Sequence, residues 1–173
     1  MNRISKAFWV WCDFIEEDMK FLKQIQSKVF DYFDSPLFDI HMTLHGPFIN
    51  KHELDRKNIH EICQRTNQIS IEAKNYKFSD NFYTSLYIEI SKSEKLIDLR
   101  NIIYNKLPIR NNLYKFLPHI SLIYGKYNKS EKLKIIKNLP KITKKVFTVK
   151  NIIIADVDEN INKWKIIERI GLK

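Results

Sequence analysis

His41-Met42-Thr43-Leu44 and His119-Ile120-Ser121-Leu122 are two copies of one pattern, His-x-(Thr/Ser)-Leu, one in each half of the chain. Read as strands, their period of two sets each imidazole and the hydroxyl two residues later on one face. Met42 with Leu44, and Ile120 with Leu122, fall on the other. Each copy therefore reads as a strand with an apolar back on a core and a polar front. One copy is a short pattern that chance supplies often. Two copies at matching points in similarly ordered halves are what a pseudo-twofold site needs, with histidines facing across a cleft. The plain alternative is two half-buried strand histidines satisfied by backbone carbonyls.

The flanking sequence supplies those halves. Phe8-Trp9-Val10-Trp11 is aromatic and β-prone, and Asp13, Glu16, Glu17 and Asp18 then give the acidic opening of a helix. That helix is expected to run to Tyr32, with Phe21, Leu22, Ile25, Val29 and Phe33 as its buried stripe. A turn at Ser35-Pro36 precedes a β-like segment over 38–48, and 51–66 reads as a second helix with Leu54, Ile59, Ile62 and Cys63 inward. Strands over 69–78 and 82–90 form a hairpin around Ser79-Asp80-Asn81. Ser93 opens a third helix with Leu96, Leu99, Ile102 and Ile103 on one face, ending near Pro108. The last third repeats the order: a segment over 117–124, a helix capped by Ser130, and strands over 147–157 and 164–170. Without steady βαβ alternation or a Pro-, Gly- or Ser-rich linker, this is an α+β chain. The expectation is one domain over 1–173, two pseudo-symmetric lobes of antiparallel sheet with outer helices around a central cleft.

Composition narrows the class. Hydrophobic residues at 44% and charged residues at 29% lie in the globular range and exclude a disordered chain. No apolar run approaches the roughly 18 residues of a membrane span, and the opening six residues carry neither a leader's apolar core nor a cleavage site. A cytoplasmic monomer without membrane attachment is expected. Cys12 and Cys63 form no Cys-x-x-Cys pair and lie at no zinc-ligand spacing, so they read as inert thiols. The formal charge of +10 would draw an anionic substrate, yet a chain rich in Lys, Asn and Ile is also what AT-rich coding produces. Charge permits a phosphate ligand here without requiring one.

Two imidazoles and two hydroxyls suit phosphoester hydrolysis. An imidazole titrates near about 6.5, so one ring can deprotonate an attacking water while the other protonates a departing ribose oxygen. The hydroxyls of Thr43 and Ser121 can donate to non-bridging phosphate oxygens. No metal and no organic cofactor is expected.

The chain resembles the 2H phosphoesterase superfamily, and within it the cyclic phosphodiesterases acting on 2′,3′-cyclic or ADP-ribose 1″,2″-cyclic phosphates. The resemblance covers nearly the whole length. It rests on Val10-Trp11, on both tetrapeptides, on Phe82-Tyr83-Thr84-Ser85-Leu86-Tyr87, on Phe116-Leu117-Pro118 before the second motif, and on the late Trp164. It implies that His41, Thr43, His119 and Ser121 carry the chemistry and that Tyr124 lines the phosphate pocket. Asp39-Ile40 departs from the family, whose members often have proline there, as the second copy does at Pro118.

Other residues are read from position. Phe82 and Tyr83 alternate faces if they lie in a strand, so one points into the cleft, and Phe82 is taken as a base-stacking platform. Trp9 and Trp11 share a face and read as core, with Trp11 able to form a cleft wall. His45 continues the face of His41 and Thr43 as a partly solvated rim residue; His52 and His60 read as surface. The lysines over 126–145 read as a solvated helix and loop. Three functions stay open: opening of a cyclic-phosphate nucleotide, the same chemistry on RNA ends or cyclic oligonucleotides, and a non-catalytic RNA-binding module.

Overall fold

Among the described residues, the period-two alternation of apolar residues builds seven strands, and four helices cover their apolar side. The computed structural model describes residues 6–109 and 115–173; the first five residues, on which the expectation of no leader partly rests, lie outside them. In chain order the elements are β1 (Lys6–Phe14), α1 (Glu16–Phe30), β2 (Met42–Phe48), α2 (Arg56–Arg65), β3 (Ile69–Phe78), β4 (Leu86–Ile90), α3 (Glu94–Lys106), β5 (His119–Ile123), α4 (Lys129–Asn138), β6 (Val146–Asp158) and β7 (Lys165–Gly171). The α+β expectation stands, and the halves repeat as strand, helix, His-bearing strand, helix, strand.

All strand pairings are antiparallel, in the order β1-β2-β5-β4-β3-β6-β7, and β1 also pairs with β6. The strands thus close on themselves. The two half-sheets, β2-β1-β6-β7 and β5-β4-β3, meet where Met42 pairs with Ile120 and again where the start of β6 pairs with β3 from Ile69–Val149 to Glu72–Val146. The lobes are two sides of one sheet.

The faces divide as the alternation requires. Val10, Cys12, Met42, Leu44, Leu86, Ile88, Ile120, Leu122, Ile152 and Ile154 join one core with Leu22, Ile25 and Val29 of α1, Ile59 and Ile62 of α2, and Leu96, Leu99 and Ile103 of α3. The opposite face carries Trp11, Ile153 and Ala155, with Trp9, Val157, Trp164 and Ile166 packed on them. The helices cross between halves: α1 packs on β5 as well as β1, and α3 packs on β2 as well as β3.

Four local expectations are corrected. The β-like segment expected over 38–48 becomes a strand only at Met42. Residues 51–66 are not one helix: a 3₁₀ turn at Lys51–Glu53 is followed by α2, because the Asp55 carboxylate accepts the Asn58 N–H at 3.3 Å and starts a new helix there. The strand expected over 82–90 begins only at Leu86; Phe82–Thr84 is a 3₁₀ turn, with Asn81 Oδ1 accepting the Tyr83 N–H at 3.0 Å. Asn128, not Ser130, caps α4, and the Glu131 carboxylate accepts the Asn128 N–H at 3.3 Å. Among the described residues no helix is long and apolar enough to cross a membrane.

Ile120 is fully buried at the junction of the half-sheets. Ile120→Ala should lower the unfolding free energy by about 2–5 kcal/mol in urea denaturation.

Candidate functional site

Burying Met42 and Ile120 against the helices turns His41, Thr43, His119 and Ser121 to the opposite face. Carried one residue each way, the Met42–Ile120 register sets His41 across from Ser121 and Thr43 across from His119. Each imidazole is thus set beside the other copy's hydroxyl.

Both rings are held the same way. His41 Nδ1 lies 2.6 Å from the Asp39 carbonyl, and His119 Nδ1 lies 2.7 Å from the Leu117 carbonyl, each two residues upstream. A carbonyl only accepts, so Nδ1 carries hydrogen in both rings and Nε2 is the free nitrogen of the neutral form. The backbone carbonyl satisfies one nitrogen and commits the other. Asp39 serves through its main chain, so the missing proline does not disturb the arrangement.

The two histidines nevertheless differ. His41 is 7% exposed, stacked on Trp11 at 3.7 Å and 14°, with Trp164 at its edge. Burial pushes its pKa down to about 4, opposed by the Asp39 carbonyl and helped by the charge of His119. His119 is half-buried, with Tyr87 edge-on at 5.3 Å, and burial lowers its pKa while the Leu117 carbonyl raises it.

The hydroxyls differ as well. Ser121 Oγ donates to the Tyr83 carbonyl at 2.9 Å, whereas the Thr43 hydroxyl has no hydrogen-bond partner among the described residues. Tyr124 is buried, stacked on Phe38 at 4.0 Å; burial raises its phenol pKa and the neighbouring Ser121 hydroxyl lowers it. Gly125 ends this segment at φ 143°, where a Cβ would fall 2.5 Å from the Tyr127 ring, so only glycine fits.

Trp11, expected mainly as core with a possible place in a cleft wall, is both. It is buried beneath His41 and lines a cavity of about 300 Å³ with Phe38, Asp39, Asn162, Trp164 and Lys165. Phe82 lies roughly parallel to Tyr124 at 6.3 Å. Tyr83, set aside by strand alternation, also reaches the site: its ring lies 6.5 Å from Trp164 at 21° and 5.5 Å from Tyr124. The 3₁₀ turn removes the alternation that would have separated them.

His45 is corrected outright. It is 3% exposed, not a rim residue, and its Nε2 meets the Leu107 carbonyl at 2.8 Å. The β1–β2 register passes from Trp11–Thr43 to Val10–His45, so β2 carries an extra residue there, and this bulge moves His45 onto the core face beside Val10. Sequence reading gave no place at the site to Phe38, Tyr87 or Glu89; the last two sit across from Ser121 and His119 in β4. The alternation of Tyr87 and Glu89 with buried Leu86, Ile88 and Ile90 is the signal that could have found them. His52 and His60 are exposed, His60 2.6 Å from Glu168. Among the described residues, no group of three or more His, Cys, Asp or Glu side chains could hold a metal ion, and both cysteines are buried and free.

A ring of antiparallel strands presenting one His-x-(Thr/Ser) strand from each half is the scaffold of the 2H phosphoesterases. The chain belongs to the 2′-5′ RNA ligase superfamily, whose model matches residues 17–160. Escherichia coli LigT in its apo form is similar at 13% identity, with 97% of this chain and 98% of that chain covered and a TM-score of 0.65. LigT complexed with 3′-AMP gives 12% identity, the same coverage and 0.65. Usb1 of Kluyveromyces marxianus gives 12% identity, 96% and 97% coverage and 0.52. At these identities the likeness is one of fold. A comparison with curated protein sequences finds no match.

Because folded His41 sheds its proton near pH 4 and the unfolded chain near 6.5, the folded state binds fewer protons between those values. Stability should therefore rise with pH across that window and be lost as pH falls through it. His41→Gln should flatten the rise, measured as urea midpoints at a series of pH values.

Proposed function

We propose that the chain opens a cyclic phosphodiester on a nucleotide to a phosphomonoester, with His41 and His119 as base and acid. The observation that carries this is the matched tethering of both Nδ1 atoms, which commits both Nε2 atoms to reaction on one shared face. His41, the more deeply buried and the harder to protonate, is the base: Nε2 takes a proton from the attacking water as its oxygen bonds to phosphorus. His119, half-exposed, is the acid: protonated on both nitrogens, it gives the Nε2 proton to the ribose oxygen as its bond to phosphorus breaks. Thr43 steadies a non-bridging oxygen through its uncommitted hydroxyl, Ser121 joins it by turning its hydroxyl hydrogen from the Tyr83 carbonyl to the phosphate, and Tyr124 closes the phosphate pocket.

What surrounds these groups supports the substrate class. The cavity beside His41 combines the faces of Trp11, Phe38 and Trp164 with the polar ends of Asp39, Asn162 and Lys165, which suits a nucleoside. The 3′-AMP held by LigT is a monoester of the kind that opening a 2′,3′-cyclic phosphate leaves. A nucleoside 2′,3′-cyclic phosphate or ADP-ribose 1″,2″-cyclic phosphate is the leading substrate, and Phe82 is assigned to stacking beside it. The family's own name keeps RNA ends as the second reading, with the same four residues at work.

His41→Ala and His119→Ala should each lower kcat on nucleoside 2′,3′-cyclic phosphates by about 10²–10⁴-fold. Unchanged turnover in both variants would sink the proposal, and salt-dependent RNA binding without turnover of any cyclic phosphate would point to a binding module instead.

The pH profile is a second test. Activity needs His41 neutral and His119 protonated, so kcat/KM should be bell-shaped, rising above about pH 4 and falling again on the acid side of the ordinary imidazole range. Its limbs report the pair, not single rings. A rate that climbs without a break to pH 9 is incompatible with this acid.

A further inference from the structure

Among the lysines of the basic stretch over 126–145, Lys132 is the one fully buried, at 1% exposed. Taking an ammonium out of water costs several kcal/mol unless something inside holds it. Its Nζ donates to the Ser79 carbonyl at 2.9 Å, with the Phe78 ring at 5.4 Å. The Asp80 carboxylate lies 4.0 Å away but is itself fully exposed, so the carbonyl is the contact that fixes the ammonium.

Ser79 opens the segment that joins β3 to β4, and that segment is bonded to itself throughout. Ser79 Oγ meets the Thr84 hydroxyl at 2.7 Å and the Thr84 carbonyl at 2.9 Å, and it accepts the Asn81 N–H at 3.2 Å. Asn81 in turn holds the Tyr83 N–H, and the Ser79 N–H reaches the Ser85 carbonyl at 3.3 Å. Such a segment moves as a unit. It makes two bonds to the second histidine strand and the residues after it: the Tyr83 carbonyl accepts from Ser121 Oγ, and the Phe82 carbonyl accepts the Gly125 N–H at 3.0 Å.

We infer that Lys132 is a positioning residue for the site: by anchoring Ser79 it sets the Tyr83 carbonyl that fixes Ser121 Oγ in place. The side chain reaches no reacting atom and acts through residues 79–85. Its effect on turnover rests on the proposed hydrolysis, whereas the mechanical link from Lys132 to Ser121 does not.

A double-mutant cycle tests the turnover effect, using Lys132→Met, Ser121→Ala and their combination on a nucleoside 2′,3′-cyclic phosphate. Lys132→Met should lower kcat by roughly 10- to 100-fold, the scale on which misplaced groups act, and leave KM within about twofold. In the Ser121→Ala background the same change should cost less than about twofold, since the group it fixes in place is gone. Lys132→Arg, which keeps a cationic donor, should recover most of the rate. An equal loss in both backgrounds would overturn the inference.

Amide hydrogen exchange separates this from the function itself. Lys132→Met should speed exchange at Tyr83 and Gly125 while the core amides of α1 and β1 keep their protection. Exchange quickened uniformly across the sheet, or unchanged at Tyr83 and Gly125, overturns the link. A wild-type chain that turns over no cyclic phosphate disposes of the proposed reaction, and exchange then decides the link alone.

Discussion

The pairing of Met42 with Ile120 is the constraint on which the rest of the site depends. Both side chains are fully buried, and because side chains alternate along a strand, burying them decides where their neighbours go. A slip of one residue in either strand would turn that strand's imidazole into the core and expose its apolar side chains. The free energy that specifies the register is thus hydrophobic, although its consequence is the placement of polar groups. Crossed packing of α1 on β5 and α3 on β2 secures the junction from beneath, each helix bracing the strand of the opposite half.

The two halves share a plan and diverge in detail. Each histidine leans on a carbonyl two residues back, a contact any strand entry of this shape can make. What differs is supplied by distant elements: Trp11 from β1 covers His41, while Tyr87 from β4 touches only the edge of His119. Likewise Ser121 finds a carbonyl in the 79–85 segment that Thr43 lacks among the described residues. A duplicated frame in this way yields two imidazoles in unlike surroundings.

Much of this was legible in the sequence because it is periodic. The apolar alternation of Met42 and Leu44, or of Ile120 and Leu122, marks strands whose histidines share a face, and strand β3 was readable end to end. What was not legible depends on pairing or on a side chain competing with the backbone. His45 was misplaced because its bulge arises from how β1 lies against β2, which no local pattern reports. Phe82 and Tyr83 carry strong strand propensity, yet the Asn81 carboxamide captures a backbone N–H and bends them into a turn. Lys132 was hidden among look-alike lysines, since a run of one residue type gives no hint of which member turns inward.

The closure of the strands bears on how the molecule behaves among its own copies. A sheet edge is a template for another chain. Here β1 to β6 each have neighbours on both sides, and among the described strands only β7 has a neighbour on one side alone. That strand carries exposed Lys165 and Arg169 and a half-buried Glu168 paired with His60 and Arg56. A chain rich in isoleucine and aromatic residues, which would otherwise add strand to strand, is left among its described strands with a single open border, and that border is charged against aggregation.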